Sequence, residues 1–193
     1  LLALALLVNP RGADALTFTT IDVPGATATF ASKINAAGQI VGGFTDASGN
    51  DHGFVLDNGT YITIDFPGGI ATGAFGINAA GQIVGIYIDP AAVTHGFLLE
   101  DGHFTAIDFP GSTSTEAFDI NARGEIVGRF NDASGTVHGF LLSKSTFASI
   151  DPPGAGYSQA IGINARGQIV GGFEPPGHHG FIFDKDAFAL VDF

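Results

Sequence analysis

The chain has 193 residues, of which 45% are hydrophobic and 13% charged, and its formal net charge is −12. This composition is typical of one globular core and not of a disordered chain, and the negative charge argues against nucleic acid or anionic lipid as a partner. Cysteine is absent, which excludes disulfides and thiolate metal sites.

The first fifteen residues differ in character from the rest. LLALALLV is a run of eight apolar residues, and the small-x-small pattern Ala13-Asp14-Ala15 follows it, as at a signal-peptide cleavage site. A bilayer span needs about 20 apolar residues, so the pattern predicts that 1–15 is the remnant of a secretory signal peptide; a first β-strand is the alternative. We therefore expect a secreted, extracellular or cell-surface protein whose mature chain does not insert into a membrane.

From residue 18 onward the sequence repeats at intervals of 43 residues, the last interval of two of the landmarks being 41. FTTIDVPG begins at 18, YITIDFPG at 61, FTAIDFPG at 104, FASIDPPG at 147 and FALVDF at 188. A second landmark places Asn at 35, 78, 121 and 164, and HGF places His at 52, 95, 138 and 179. Three landmarks in one register predict a single repeat domain over 16–193, with units 18–60, 61–103, 104–146 and 147–187 and a partial unit 188–193.

Each unit predicts four short strands separated by turn residues. In the second unit these are YITID, TGAFGIN, QIVGIYI and HGFLLE, and no window has helical periodicity. Large apolar residues alternate in the second of these strands, so we expect Phe75 and Ile77 on one face. Four-stranded sheets repeated at this interval are typical of propeller blades. The sequence predicts an all-β β-propeller of four four-stranded blades, or a fragment of a larger propeller, with a β-solenoid as the alternative.

The turns carry their own chemistry. Asn35-x-x-Gly38 and its copies predict a tight hairpin in which the Asn side chain caps the turn and Gly adopts a positive φ. Pro24-Gly25 and its copies predict a type II turn, and DASG at 46–49 and 132–135 predicts a looser connection. The Asp before each x-Pro-Gly is expected to cap its own backbone amides, and a carboxylate ring for Ca²⁺ is the alternative. These residues are Asp22, Asp65, Asp108, Asp151 and Asp192.

At these motifs the chain resembles the HAF-repeat family of extracellular repeats, whose units carry IN-x-x-G-x-(I/V)-VG followed by H-(A/G)-F and a hydrophobic residue. The first motif matches at 34–42, 77–85, 120–128 and 163–171, and the second at 52–54, 95–97, 138–140 and 179–181. All four copies have Gly where the family name has Ala. The resemblance covers 18–193 and implies export and repetition, but no established chemistry and no catalytic residue.

The four repeated His residues suggest either a metal-binding ring or packing. HGF follows two hairpins, so it is expected away from the innermost strand, where four imidazoles would have to converge on a metal. We therefore expect each His to hydrogen-bond a neighbouring loop while its ring packs. His178 and His179 form the best metal candidate, but no metal or other cofactor is predicted, with Ca²⁺ as the weaker alternative.

Two connections in each unit vary most, one after the repeated Asp and one before the repeated His. In a four-stranded meander both emerge on one face, and variation on one face of a repeat protein is typical of a binding surface. Unrestrained loops vary as well, which is the alternative. The candidate ligand-binding residues are Asp46, Asp89, Thr115, Asp132, Tyr157 and His178.

The sequence thus favours a non-catalytic extracellular repeat protein that binds a glycan or an extracellular protein. No G-x-S-x-G nucleophile motif occurs, and no catalytic residue is predicted. One alternative is a polysaccharide-acting hydrolase or lyase on a propeller scaffold, for which Glu116, Glu125 and His178 are the residues to test. The other alternative is a purely structural surface module.

Overall fold

The computed structural model describes residues 19–174 and 177–191, which form sixteen β-strands and no helix. The first sheet contains Ala28–Ile34 (β1), Ile40–Thr45 (β2), Asp51–Asp57 (β3) and Thr60–Ile64 (β4). The second sheet contains Ala71–Ile77 (β5), Ile83–Ile88 (β6), Thr94–Glu100 (β7) and His103–Ile107 (β8).

The other two sheets repeat this order. The third contains Ser114–Ile120 (β9), Ile126–Asn131 (β10), Val137–Ser143 (β11) and Thr146–Ile150 (β12). The fourth contains Tyr157–Ile163 (β13), Ile169–Glu174 (β14), His179–Asp184 (β15) and Ala187–Val191 (β16). The predicted signal-peptide remnant at 1–15 and the last repeated Asp, Asp192, lie outside the described residues.

Each sheet is an antiparallel meander in which neighbouring strands along the chain are hydrogen-bonded. The sheets pack face to face in chain order, and β1, β5, β9 and β13 contact one another in succession, so the first strand of each sheet lies innermost. This arrangement is propeller-like, and the predicted all-β fold with four four-stranded sheets is confirmed. Within the described ranges, no helix is long and apolar enough to span a bilayer.

The sheets and the sequence units are offset by one strand. The YITID segment that opens the second sequence unit is β4, which pairs with β3 and completes the first sheet. In the same way the 188–191 segment belongs to β16 and completes the fourth sheet by pairing with β15. The described part of the final partial repeat therefore has a structural role, because the fourth sheet takes its last strand from it, whereas residues 19–22 lie outside any strand.

The first strand of each sheet contains a β-bulge. This bulge makes one prediction wrong, namely which side chains of the strand share a face. The register of β5 against β6 shifts between Ala74 and Gly76, so the side chains on either side of the shift no longer alternate simply. Ile77 is buried between the first two sheets. Phe75 instead lies at the centre of the molecule, edge-on to Phe118 with ring centroids 6.1 Å apart. The prediction that Phe75 and Ile77 share a face was wrong.

The two tight turns have the predicted geometry. The amide of Ala26 donates to the carbonyl of Val23 at 3.1 Å, and Gly25 between them has φ 83°, as a type II turn requires. In the hairpin after β1, Asn35 Oδ1 accepts from the amides of Ala37 and Gln39, both at 3.0 Å. The capping role predicted for Asn is confirmed.

The DASG connection is closed in the same manner and is not loose. Asp46 Oδ1 accepts from the amides of Ser48 at 2.7 Å and Asn50 at 2.8 Å. The amide of Gly49 also donates to the carbonyl of Asp46 at 3.2 Å. An Asp can replace Asn at this position because only the accepting oxygen is used.

The core consists of three equivalent junctions between neighbouring sheets. At the first junction, the buried residues include Val41 and Ile64 from one sheet and Ala74, Ile77 and Ile83 from the next. The second buries Val84, Ile107, Ala117, Ile120 and Ile126. The third buries Val127, Ile150, Ala160, Ile163 and Ile169.

A series of Asn side chains joins these sheets by hydrogen bonds. Asn35 Nδ2 donates to the carbonyl of Asn78 at 3.0 Å, Asn78 Nδ2 to that of Asn121 at 3.0 Å, and Asn121 Nδ2 to that of Asn164 at 3.2 Å. One residue type thus caps its own turn and binds the next sheet. Because a buried polar group needs a partner, this bond fixes the position of each sheet relative to its neighbour.

Candidate functional site

Three of the repeated His residues each lie between two carboxylates from the connections of the same sheet, one before the third strand and one after the fourth. His52 Nδ1 lies 2.7 Å from Asp65 Oδ1, and Nε2 lies 3.5 Å from Asp46 Oδ2. His95 has the same distances, 2.7 Å to Asp108 and 3.5 Å to Asp89. His138 lies between Asp151 and Asp132, at 3.1 Å and 3.5 Å.

This arrangement corrects the role expected of the repeated Asp. Asp65 does not cap its own loop, because its carboxylate pairs with His52. The loop amide of Phe66 donates instead to Thr72 Oγ1 at 3.0 Å. A hydroxyl six residues further on therefore performs the capping that was expected of the carboxylate.

The His rings pack in the manner predicted. The ring of His52 stacks on Phe44 with centroids 5.0 Å apart, and that of His95 stacks on Tyr87 at 4.9 Å. The predicted position away from the innermost strand is confirmed, since HGF lies in the third strand of each sheet. Among residues 19–174 and 177–191, no three His, Asp or Glu side chains come together as a metal site.

The carboxylates shift the protonation of two of these imidazoles. The hydrogen bond with Asp65 raises the pKa of His52 above its ordinary 6.5, against the opposing effect of burial. Burial lowers the pKa of His95, but the hydrogen bond with Asp108 and its charge outweigh that effect, so this pKa is raised as well. Hydrogen bonds from Asn50 lower the pKa of Asp46 to about 2.

These shifts predict that stability declines on the alkaline side of pH 6.5. A His whose pKa is raised on folding stabilises the protein fully below the unfolded pKa, and this stabilisation is lost as pH rises through the folded pKa. We expect the melting temperature to fall by roughly 2–4 °C between pH 6 and pH 8.5. The double variant Asp65→Asn, Asp108→Asn should flatten this fall in thermal melts monitored by circular dichroism.

The control for that experiment is Asp57→Asn, a similar change on the hairpin at the opposite end of the first sheet. It should keep the slope of the wild type. An unchanged slope in the double variant would show that the His–Asp pairs do not cause the pH dependence. At acidic pH the dependence has the opposite sign, so that stability declines as the pH falls. The carboxylate of Asp46, whose pKa is lowered to about 2, stabilises the fold fully above its ordinary pKa of 3.8 and loses this effect as the pH falls toward 2.

Two equivalent polar clefts open beside the His–Asp pairs. The first lies between the first two sheets and has a volume of about 320 Å³. Its lining includes Asp51, His52, Asp65 and the loop 66–72. The second, of about 230 Å³, lies between the second and third sheets and is lined by the residues one repeat further on, among them His95 and Asp108. Both variable connections contribute to each cleft, so they emerge on one face.

The first polar cleft continues into an apolar one of about 190 Å³. The two share Asp51, His52, Ala71 and Thr72. The apolar part is lined by aromatic and aliphatic side chains, namely Phe30, Phe44, Phe75, Ile86 and Ile88.

Gly73, which also lines this apolar cleft, leaves open space where a side chain would stand. A Cβ atom there would have no neighbour closer than Phe75 Cζ at 3.5 Å. One repeat further on, the position is Glu116, which binds Arg129 Nη2 at 2.8 Å and 3.0 Å through its two oxygens. The second sheet therefore has open space at a position where the third sheet carries an ion pair.

The predicted ligand-binding residues have mixed positions. Asp46, Asp89 and Asp132 lie beside the His residues, where their Oδ1 atoms accept from the amides of their own loops. Thr115 is 0% exposed, and its hydroxyl accepts from the amide of Phe109 at 2.9 Å. Thr115 thus positions the loop from inside and presents no surface to a ligand.

The remaining candidates lie apart from the first cleft. Tyr157 is half-buried, and its hydroxyl lies 3.3 Å from Arg129 Nη1. His178 is 91% exposed and bonds Glu174 through Nδ1 at 2.7 Å. The two carboxylates considered for catalysis are both paired with arginine, Glu116 with Arg129 and Glu125 with Arg123.

Sequence reasoning missed Asp51, Phe30 and Phe44, which line the first cleft. Phe30 is 52% exposed, so an aromatic ring is presented at its rim. The sequence contained a signal for Phe30, because the equivalent position is Gly73, Glu116 and Gln159 in the later repeats. A position that changes residue type in every repeat identifies where the junctions differ.

Several solved structures are similar to this chain, including the following three. A mutant of AofleA from Arthrobotrys oligospora has a TM-score of 0.47 and 12% identity over 84% of this chain and 55% of that chain. Two structures of an Aleuria aurantia lectin mutant, in complex with alpha-methyl-L-fucoside and with Fucalpha1-6GlcNAc, have TM-scores of 0.43 and 11% identity. They match over 85% of this chain and over 76% and 77% of theirs.

This chain therefore spans about half the length of AofleA. No family model matches the chain. No curated protein matches it either.

Proposed function

We propose that this chain is a non-catalytic, extracellular glycan-binding protein whose four sheets are propeller blades. The observation that carries the proposal is the continuous cleft between the first two sheets, where a polar mouth and an aromatic interior share Asp51, His52, Ala71 and Thr72. The extracellular location is supported by the signal-like pattern at 1–15 and by the resemblance to HAF repeats.

The chemistry of this cleft suits a sugar ring. A pyranose has hydroxyl groups around its edge and C–H groups on its faces, so it needs both hydrogen-bonding and aromatic partners. Asp51 and His52 supply polar atoms at the mouth, and the exposed ring of Phe30 supplies a face for stacking. The polar mouth of about 320 Å³ is at the lower end of the roughly 300–1,000 Å³ found for small-molecule sites, which suits a short glycan.

Charge narrows the class of glycan further. The mouth contains Asp51 and Asp65, and the chain as a whole has a formal net charge of −12. A sialylated, sulfated or uronic-acid-rich glycan would be repelled by this field. The preferred ligands are therefore neutral sugars or sugars with an amino group.

A glycan array followed by isothermal titration with the selected neutral glycan tests the proposal. Asp51→Asn should weaken binding roughly tenfold or more, because a hydrogen bond to a charged group contributes about 1.5–3 kcal/mol. Gly73→Leu should weaken binding, because a side chain there would extend beside Phe75 and Ile86, which line the apolar part. Asp57→Asn, at the other end of the first sheet, is the matched control and should bind as the wild type does.

Two results would contradict the proposal. An array without any bound glycan would favour the purely structural module. Unchanged affinity in both Asp51→Asn and Gly73→Leu would move binding away from this cleft. Turnover of a polysaccharide that is lost in Glu116→Ala or Glu125→Ala would instead support the hydrolase or lyase alternative.

A further inference from the structure

The three junctions inside the molecule follow one rule. Each earlier sheet contributes a Val from its second strand and an Ile from the end of its fourth, and each later sheet contributes an Ala and an Ile from its first strand. The face that contributes Val is called here the leading face, and the face that contributes Ala and Ile is called the receiving face. A complete junction therefore needs one of each.

Among the described residues, no sheet covers the leading face of the fourth sheet. Val170 stands where Val41, Val84 and Val127 are fully buried, yet it is 48% exposed. Val191, at the position of the buried Ile residues that end the fourth strands, is exposed as well, as is Ile182. These apolar side chains continue the surface that the first three sheets bury.

Likewise, within residues 19–174 and 177–191 no sheet covers the receiving face of the first sheet. Ile34 is 60% exposed, whereas the equivalent Ile77, Ile120 and Ile163 are buried. Ala31 is exposed too, although its counterparts in the three later sheets are fully buried. The molecule thus exposes both halves of its own internal junction at once.

The Asn series ends at the same two faces. Asn164 Nδ2 donates to its own Gln168 Oε1 at 2.8 Å and, within the described ranges, has no carbonyl of a following sheet to bind. At the other end, no Asn of a preceding sheet donates to the carbonyl of Asn35 among the residues described. A donor and an acceptor that pair at every internal junction are thus left over, one on each end face.

We propose that a second copy of this chain docks head-to-tail, with its receiving face on the leading face of the first copy. The internal junctions supply the argument, because the same residue types already form this interface three times. The contact would place Val170 and Val191 against Ala31 and Ile34 of the other copy and bring Asn164 within reach of its Asn35 carbonyl. Such a contact is heterologous, since two different faces meet.

Two variants, each with one substitution on one of the faces, test this arrangement when they are measured separately and as a mixture. The full chain should show about twice its 19.7 kDa mass, or more, in light scattering coupled to size-exclusion chromatography. Val170→Lys and Ile34→Lys should each reduce it to the mass of one copy, because every junction needs both faces. An equimolar mixture of the two variants should again contain dimers, since each retains the face that the other has lost.

The control is Ile62→Lys, because Ile62 is 53% exposed on β4 but belongs to neither end face. It should assemble as the wild type does, and circular dichroism should show that all variants retain their β-structure. A wild-type chain that keeps the mass of one copy at all concentrations would overturn the proposal. So would a Val170→Lys variant that still forms dimers, or a mixture that stays at the mass of one copy. These readouts are masses, so they are independent of glycan binding.

Discussion

Replacing Gly85 with Ala is expected to prevent the second sheet from forming. Gly85 pairs with Ala74 at the bulge of β5, where the two strands approach closely. A Cβ atom there would overlap the carbonyl oxygen of Gly73 and lie 2.9 Å from Phe97 Cε1. The first obstacle is backbone, which cannot rotate away as a side chain can. We expect a loss of more than about 4 kcal/mol in the free energy of unfolding.

The control for this substitution is Gly73→Ala, in the strand directly opposite. Its Cβ would meet nothing closer than Phe75 Cζ at 3.5 Å, which is an ordinary contact. Thermal melts should therefore show no cooperative transition for Gly85→Ala, or one lowered by more than roughly 10 °C, and a nearly unchanged transition for Gly73→Ala. Equal stability of the two variants would show that the close approach at the bulge has no role in folding.

Replacing Asn78 with Ala is expected to lower the free energy of unfolding by about 3 kcal/mol. Asn78 is 4% exposed. Its Oδ1 accepts from the amides of Ala80 and Gln82, and its Nδ2 donates to the carbonyl of Asn121 in the next sheet. The substitution leaves a buried carbonyl and two turn amides without their partners, and unsatisfied buried groups are more costly than exposed ones.

Asn164→Ala provides a matched comparison for this effect. Asn164 caps its own turn in the same way, but it is exposed and has no following sheet to bind within the described part of the chain. We expect a loss of only about 1 kcal/mol in urea denaturation at low chain concentration. If both variants lose the same free energy, the bond between sheets contributes nothing measurable.

Much of the fold follows from local chemistry and was predictable. The repeat fixed the number of strands, and Pro24-Gly25 and Asn35 identified turns whose geometry the structure confirms. The bulge was not predictable in this way. It depends on the close approach of Gly85 to another strand, and a period-two pattern within one strand contains no information about that approach.

The emergence of both variable connections at one end of the sheets was predictable from the meander. The Asp residues chosen there bind their own loops, as Asp46 does. The pairing of His52 with Asp65 was not predicted either, although the separation of 13 residues recurs for His95 and His138. The apolar cleft depends on which side chains of two sheets meet, and a pattern within one strand contains no information about that meeting.

The recurrence of the polar cleft also has a consequence for how tightly the protein would bind a ligand with repeated units. Equivalent mouths at His52 and His95 stand one repeat apart on a rigid frame. A ligand strand that occupies the first mouth presents its next unit to the second at high effective concentration, provided that the spacing fits. Joint engagement can strengthen binding by about 10²–10⁴ without any new contact. A single sugar unit would then dissociate quickly, while a densely decorated polymer would be retained.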